Sequence, residues 1–127
     1  MALILDTNAL SAFADGDRAL GKVIFDETDL ALPAVVLGEY FYGIRHSRMR
    51  KRYEAWLQAN LRDFQVLSVS QQTAQRYAEI RSELKSAGRP IPTNDLWIAA
   101  LVREHGHPLL SRDQHFEAVR GLHRIDW

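Results

Sequence analysis

Ala2-Leu3-Ile4-Leu5-Asp6 lies near the start of the chain and joins four apolar residues directly to a carboxylate. Such an uninterrupted apolar run is typical of a short strand that is buried on both faces of a parallel sheet. The same reasoning predicts further strands, separated by helical patterns, at Leu30-Ala31-Leu32, Phe64 to Val69, Leu109-Leu110-Ser111 and Leu122 to Ile125. This alternation predicts an α/β fold: a three-layer α/β/α domain around a central, mainly parallel sheet of about four or five short strands.

Local signals place the ends and faces of the predicted helices. Pro33 suits the first position of a helix, because proline has no N–H that would be left unsatisfied there. Thr93 or Asn94 is predicted to cap a helix that continues to about Glu104. Ser70 is predicted to cap the preceding helix, whose inward stripe is expected to contain Ala74, Tyr77, Ala78 and Leu84.

The size and composition of the chain restrict its class. At 127 residues it is predicted to form a single domain, residues 1–127. Its 16 basic and 16 acidic residues balance, so no overall field draws it to nucleic acid or to a membrane. The absence of cysteine excludes disulfide and thiol chemistry and fits a cytoplasmic protein. No stretch approaches the roughly 20 apolar residues of a membrane helix, and no signal peptide is indicated.

Four acidic residues adjoin or interrupt apolar stretches, namely Asp6, Glu39, Asp95 and Asp113. A carboxylate held against apolar surroundings is costly unless it is paired, hydrogen-bonded or bound to a metal. In parallel sheets ligands bind beyond the carboxyl ends of the strands, and Asp6 and Asp113 both follow predicted strands. The predicted fold and the placement of the acids therefore indicate a common site.

Each acid also has a structural explanation when it is taken alone. Asp6 and Asp113 could cap the helices that follow them, and Asp95 could favour a helix N-terminus. Glu39 lies inside its helix and cannot be a cap, so its structural alternative is an ion pair with an arginine. Asp95 and Glu39 are each predicted to share a helix face with apolar or small residues: Ile98, Ala99 and Val102 for the former, and Val35, Val36, Tyr42 and Gly43 for the latter.

Taken together, the four acids indicate a cation site. Two carboxylates about 4 Å apart repel each other by roughly 4 kcal/mol at an effective dielectric constant near 20, so converging acids need a cation or raised pKa values. Oxygen ligands favour Mg²⁺, with Mn²⁺ as the alternative, and such an ion can activate water against a phosphodiester. Zinc is not expected, because the histidines, His115 among them, are interpreted as structural or exposed rather than as ligands.

The four acids lie in four segments of the chain: Leu3-Ile4-Leu5-Asp6-Thr7-Asn8, Val36-Leu37-Gly38-Glu39-Tyr40-Phe41-Tyr42-Gly43, Thr93-Asn94-Asp95-Leu96-Trp97-Ile98-Ala99-Ala100 and Ser111-Arg112-Asp113-Gln114-His115-Phe116. In this order and spacing the chain resembles a PIN-domain ribonuclease, specifically a VapC-type toxin of a type II toxin–antitoxin module. The resemblance covers essentially the whole chain. It implies metal-dependent RNA cleavage, inhibition by a cognate antitoxin protein, and a homodimer or a larger toxin–antitoxin assembly.

The resemblance also implies a role for each matched residue. Asp6 and Asp95 correspond to the core metal ligands. Glu39 and Asp113 complete the acidic cluster, by binding metal directly or through water and by orienting the attacking water. The polar groups expected to line the same pocket are Thr7, Asn8 and Ser111.

A basic segment follows the helix that carries Glu39. Its members are expected either to hold RNA phosphates or an acidic antitoxin segment, or to form only a solvated connection; they are Arg45, Arg48, Arg50, Lys51 and Arg52. Arg112, beside Asp113, is a second candidate for contact with the substrate.

Three other interpretations stay open on the sequence. The chain could be a PIN-type nuclease that processes RNA without being a toxin. It could be an aspartyl-phosphate phosphatase, although that chemistry usually requires a second acid at the position of Asn8. It could also be a non-catalytic binding module with structural acids, which predicts that no RNA cleavage depends on divalent metal.

Overall fold

The computed structural model describes residues 2–25 and 29–127. Within these residues one sheet contains five strands, at Leu3–Leu5 (β1), Leu30–Pro33 (β2), Phe64–Leu67 (β3), Leu109–Leu110 (β4) and Arg124–Ile125 (β5). The same residues form six α-helices, at Thr7–Ala14 (α1), Arg18–Ile24 (α2), Ala34–Arg45 (α3), Arg50–Asn60 (α4), Gln71–Ser86 (α5) and Thr93–His105 (α6). Short 3₁₀ turns lie at Leu61–Asp63 and Gln114–Ala118.

The order of the strands creates a crevice beside β1. All neighbouring strands are parallel, in the order β3-β2-β1-β4-β5. The chain moves outward from β1 to β3 and then returns to β4 on the other side of β1. Ligands of such sheets bind where the winding reverses, outside the carboxyl ends of the strands. Asp6 follows β1 at this point and Ser111 follows β4.

Helices cover both faces of the sheet. α1 packs against α2, α3 and α4, whereas α5 packs against α6. Because parallel crossovers are right-handed, the connections from β1 to β3 and the return from β3 to β4 lie on opposite faces. Strands β1 and β4 are consequently buried along their whole length. The predicted three-layer α/β/α fold with a parallel sheet is confirmed.

Two predictions about proline and capping are wrong. Pro92 precedes α6 and no side chain caps that helix, so neither Thr93 nor Asn94 is its N-cap. The fixed φ of proline already directs the chain into the helix, and Thr93 is its first residue. Pro33 is the last residue of β2, where it pairs with Leu67 of β3, and it is the N-cap of α3 rather than the first helical residue.

The predicted inward stripe of α5 is wrong at two positions. Ala74 and Ala78 are exposed, and the buried residues of this helix are Thr73, Ile80 and Leu84. Thr73 faces inward because its hydroxyl donates to Glu104 of α6 and accepts from the N–H of Ser70. Hydrophobic periodicity does not register a buried hydroxyl of this kind. The predicted Ser70 cap is confirmed, as part of a capping box.

Three strands are shorter than predicted. β3 ends at Leu67, β4 ends at Leu110 and β5 begins only at Arg124. Among the described residues, no helix combines the length and the apolar character that a membrane span requires.

Candidate active site

Asp6 is both a helix cap and a member of the acidic site, the two roles that the sequence left open. It is only 5% exposed and lies directly after β1. Its Oδ1 accepts the N–H of Thr7 at 2.8 Å and so caps α1, while its Oδ2 accepts the hydroxyl of Ser111 at 2.6 Å. Burial raises the pKa of Asp6; hydrogen bonds from Ser111 and Thr7 oppose this, and the charges of Glu39 and Asp113 add to it.

Asn8 and Ser111 join the ends of β1 and β4. The Asn8 amide lies 3.4 Å from both the Asp6 Oδ2 and the Ser111 Oγ, and its Oδ1 accepts the N–H of Arg112 at 3.2 Å. Ser111 is fully buried, and its Oγ accepts the N–H of Asp113 at 3.0 Å. The three predicted pocket residues thus contact the acids: Thr7, Asn8 and Ser111.

Glu39 projects from α3 toward the start of α1. It is half-buried, and its Oε1 accepts the hydroxyl of Thr7 at 3.0 Å. No arginine pairs with it in the described part of the chain, so the structural alternative is not observed. The predicted stripe beside it is partly wrong, because Tyr42 is 70% exposed and Gly43 is also exposed. The buried residues of this helix are Val36, Tyr40 and Ile44.

Asp95 and Asp113 lie close together although they belong to different elements. Asp95 is in the first turn of α6, with only 13% of its side-chain surface exposed, and its predicted apolar neighbours are buried. Asp113 follows β4 and caps the 3₁₀ turn by accepting the N–H of His115 at 2.9 Å. Burial raises the pKa of Asp95 to about 6; the charges of Asp113 and Asp6 contribute, and His115 opposes them.

His115 belongs to this site, and the sequence reasoning missed it. Its Nδ1 lies 3.2 Å from the Asp95 Oδ2 and 3.0 Å from the Asp113 Oδ1. The charge of Asp113 is the main influence that raises the pKa of His115. The spacing Asp113-Gln114-His115 is the sequence feature that could have indicated this contact. A capping carboxylate accepts the N–H two residues later, and this hydrogen bond brings that residue close to the carboxylate.

This arrangement fits a divalent cation. Oxygens of Asp95 and Asp113 and a nitrogen of His115 lie within 4.8 Å of one another. Across residues 2–25 and 29–127, the four acids form no ion pair with lysine or arginine, and His115 is their one cationic partner. The carboxylate oxygens suit Mg²⁺ or Mn²⁺.

The predicted basic contacts are exposed, and in the described part of the chain they form no ion pair with the four acids. Arg45 ends α3, Arg48 follows it in a loop, and the other three open α4. The guanidinium of Arg112 lies 4.4 Å from the ring of Trp127, donates to the Trp127 carbonyl at 3.0 Å, and lies 3.7 Å from Asp126. Arg112 is therefore held by residues after β5.

Comparison with known proteins identifies the family. The family model described as PIN domain matches residues 3–122. The chain is 31% identical to the tRNA(fMet)-specific endonuclease VapC of Shigella flexneri, over 100% of this chain and 98% of that protein. It is 29% identical to Ribonuclease VapC5 of Mycobacterium tuberculosis (strain ATCC 25618 / H37Rv), over 97% of this chain and 91% of that protein.

A solved structure has the same fold. It is the crystal structure of VapBC-5 from Mycobacterium tuberculosis, a member of the VapBC family of toxin–antitoxin systems. The TM-score is 0.70 at 26% identity, over 98% of this chain and 96% of that chain. The chain belongs to the PIN-domain family and, within it, to the VapC-type ribonucleases.

Proposed function

We propose that this chain is the endoribonuclease toxin of a type II toxin–antitoxin module and that it cleaves RNA with Mg²⁺ or Mn²⁺. The main observation behind this proposal is that ligand atoms of Asp95, Asp113 and His115 lie within 4.8 Å of one another. They lie beside the crevice where the winding of the sheet reverses. The ribonuclease names of the curated relatives support the class of reaction.

The acids have distinct parts in the proposed reaction. Asp95 and Asp113 would hold the cation, together with Asp6 and Glu39 directly or through water. A divalent cation would lower the pKa of a bound water and would compensate the negative charge on the phosphate. Ser111 holds the Asp6 carboxylate and Thr7 holds that of Glu39, so both are oriented before substrate binds. Hydrolysis joins the water oxygen to phosphorus, breaks one P–O bond and transfers a proton to the departing oxygen.

The test is cleavage of a random-sequence RNA by the wild-type protein with EDTA, Mg²⁺ or Mn²⁺. We expect cleavage only with metal, and a loss of at least about 100-fold in Asp95→Asn, which removes a carboxylate that would hold the cation opposite the negative charge of the phosphate. Asp63→Asn is the matched control, because Asp63 is exposed and precedes β3, at the opposite end of the sheet. Metal-independent cleavage, or full activity in Asp95→Asn, would contradict the assignment.

A cognate antitoxin is the proposed protein partner. The solved relative is a member of a toxin–antitoxin family, and unrestrained RNA cleavage would harm the cell that makes the enzyme. A short neighbouring gene for a DNA-binding protein is the observation that would support this pairing most directly. We further propose that the chain forms a homodimer or a larger toxin–antitoxin assembly. Its proposed location is the cytoplasm, where the RNA substrate is found.

A further inference from the structure

A cleft with several polar lining residues lies beside Glu39, apart from the cluster of Asp95, Asp113 and His115. It encloses about 310 Å³ between α1, α3 and the start of α4. That volume is near the lower limit of known ligand pockets, roughly 300 Å³, and suits one base-sized group rather than a duplex. Thr7 and Glu39 belong to its wall, so the cleft adjoins the acids. Its other polar lining residues are Ser11, Asp15, Tyr40, Ser47 and Tyr53.

The Tyr40 hydroxyl is an unpaired donor in the wall of this cleft. Its side chain is only 3% exposed, and within the described residues the hydroxyl has no hydrogen-bond partner. Burial raises the pKa of Tyr40 to about 12, and the neighbouring Tyr53 and Asp15 contribute, so the group stays a neutral donor. Unpaired buried hydroxyls are rare in folded proteins, and this one belongs to a residue that lines the cleft.

Asp15 adds an acceptor next to that donor. Its Oδ1 accepts the hydroxyl of Tyr53 at 2.7 Å, which fixes the carboxylate at the edge of the cleft. Its Oδ2 accepts no hydrogen bond from the described residues. The residues that line the cleft therefore include an oriented carboxylate acceptor and an unpaired hydroxyl donor.

The charge of the cleft selects the kind of group that enters it. Asp15 and Glu39 contribute two carboxylates, and no lysine or arginine is among the described residues that line it. A phosphate is repelled by such a lining. A neutral planar group that carries N–H donors and ring acceptors is favoured, and nucleobases have this character. Single-stranded RNA presents unstacked bases that protein pockets can hold in this way.

The basic segment flanks the same cleft along the chain. Ser47 lies between Arg45 and Arg48, and Tyr53 follows Lys51 and Arg52. These cationic side chains are exposed, so they are accessible to phosphates outside the cleft. A single strand can then place its backbone on the basic segment and one base in the cleft.

We propose that this cleft binds one base of single-stranded RNA next to the scissile phosphate. Asp15 accepts an amino or imino N–H of the base, and Tyr40 donates to a ring nitrogen or carbonyl. The inference rests on the proposed ribonuclease function, because it assigns a substrate subsite beside the same acids. The cleft thereby gives the enzyme a base preference at one position beside the cut.

Two conservative variants test this preference by sequencing the ends of a cleaved random RNA library. Tyr40→Phe removes only the unpaired hydroxyl, and Asp15→Asn replaces an acceptor oxygen with a donor. We expect each to reduce the base preference at one position about fivefold to tenfold, with little change at the others. Asp63→Asn serves as the control. A purely structural Tyr40 predicts an unchanged end profile, and that result in both variants would overturn the inference.

A binding measurement separates this inference from the catalytic proposal. In ¹⁵N-labelled Asp95→Asn protein, a random tetraribonucleotide should shift the amide resonances of Ser11, Asp15 and Ser47. Shifts with N-acetyl-arginine amide but none with RNA would overturn the inference in favour of a cationic peptide side chain, and no shift with either probe would overturn it altogether. RNA-dependent shifts in Asp95→Asn, together with no RNA cleavage by the wild-type protein with either metal, would support the base site and contradict the proposed function.

Discussion

At the residue scale, Asp95 shows how burial and like charges act on one carboxylate. Only 13% of its side-chain surface is exposed, and this burial raises its pKa to about 6, with smaller contributions from the charges of Asp113 and Asp6. The folded state therefore binds a proton at Asp95 more readily than the unfolded state does. The free energy of unfolding must fall as the pH rises from the ordinary value of 3.8 to about 6, unless a cation compensates the charge.

Asp95→Asn should stabilise the metal-free protein above pH 6. We expect a gain on the order of 1–3 kcal/mol at pH 7.5, because the ionised carboxylate is removed from its acidic neighbours, and a smaller gain near pH 4. Asp113, whose charge is the main cause of the raised pKa of His115, stays in the variant, whereas the smaller contribution of Asp95 to that pKa is lost. Urea unfolding in EDTA at the two pH values measures the difference, and equal stability at pH 7.5 would contradict it.

At the element scale, α6 and the turn that follows it bring Asp95 and Asp113 together. Asp95 lies in its first turn, and Gly106 ends it with a φ of 69°, donating its N–H to the Val102 carbonyl at 2.9 Å. The chain then runs back through β4, whose end leads to Asp113. A left-handed residue at this point lets a helix and a strand reverse direction within a few residues.

Gly106→Ala should destabilise the protein by about 1 kcal/mol, because alanine is strained at positive φ. Gly38→Ala, in the right-handed backbone of α3, is the matched control and should stabilise by about 0.5–1 kcal/mol. At either position an added Cβ would meet no described atom within 4 Å, so steric contact does not complicate the comparison. Urea unfolding of both variants measures the effect, and equal changes in stability would contradict the role of Gly106.

At the scale of the whole molecule, the reversal of winding beside β1 concentrates negative charge in one crevice. Asp6 after β1 and Asp113 after β4 arrive at neighbouring strand ends, while α3 and α6 add Glu39 and Asp95. The charges of Glu39 and Asp113 both raise the pKa of Asp6, so the acids act on one another across four elements. A divalent cation that binds only the folded chain must therefore raise its thermal stability.

Mn²⁺ should raise the melting temperature of the wild-type protein and leave that of Asp95→Asn almost unchanged. At about 100 times its dissociation constant, a cation adds roughly 2.7 kcal/mol, which corresponds to roughly 10 °C for a domain of this size. Scanning calorimetry with Mn²⁺ and with EDTA measures the shift, with Asp63→Asn as the control. No rise at saturating Mn²⁺ would count against the metal site.

Much of this architecture is predictable from local pattern, and the exceptions share a cause. The apolar run before Asp6 and the face that Asp95 shares with Ile98 both appear in the structure as predicted. Thr73 was overlooked because its burial depends on a hydrogen bond to Glu104 in another helix. Helical spacing predicts Tyr42 on the same face as Glu39, but Tyr42 is exposed, because α3 needs only one of its faces to cover the sheet.

The sequence by itself determined the α/β class and the four acids, because buried strands and the carboxylates that adjoin them are visible in local composition. Only the tertiary structure decided that His115 joins Asp95 and Asp113, that Trp127 holds Arg112, and that Tyr40, whose hydroxyl has no partner among the described residues, lines the same cleft as Asp15. The physical reason is that hydrogen bonds, charge interactions and burial depend on distances through space. Such distances are set when the helices pack on the sheet, and no short segment of the chain encodes them.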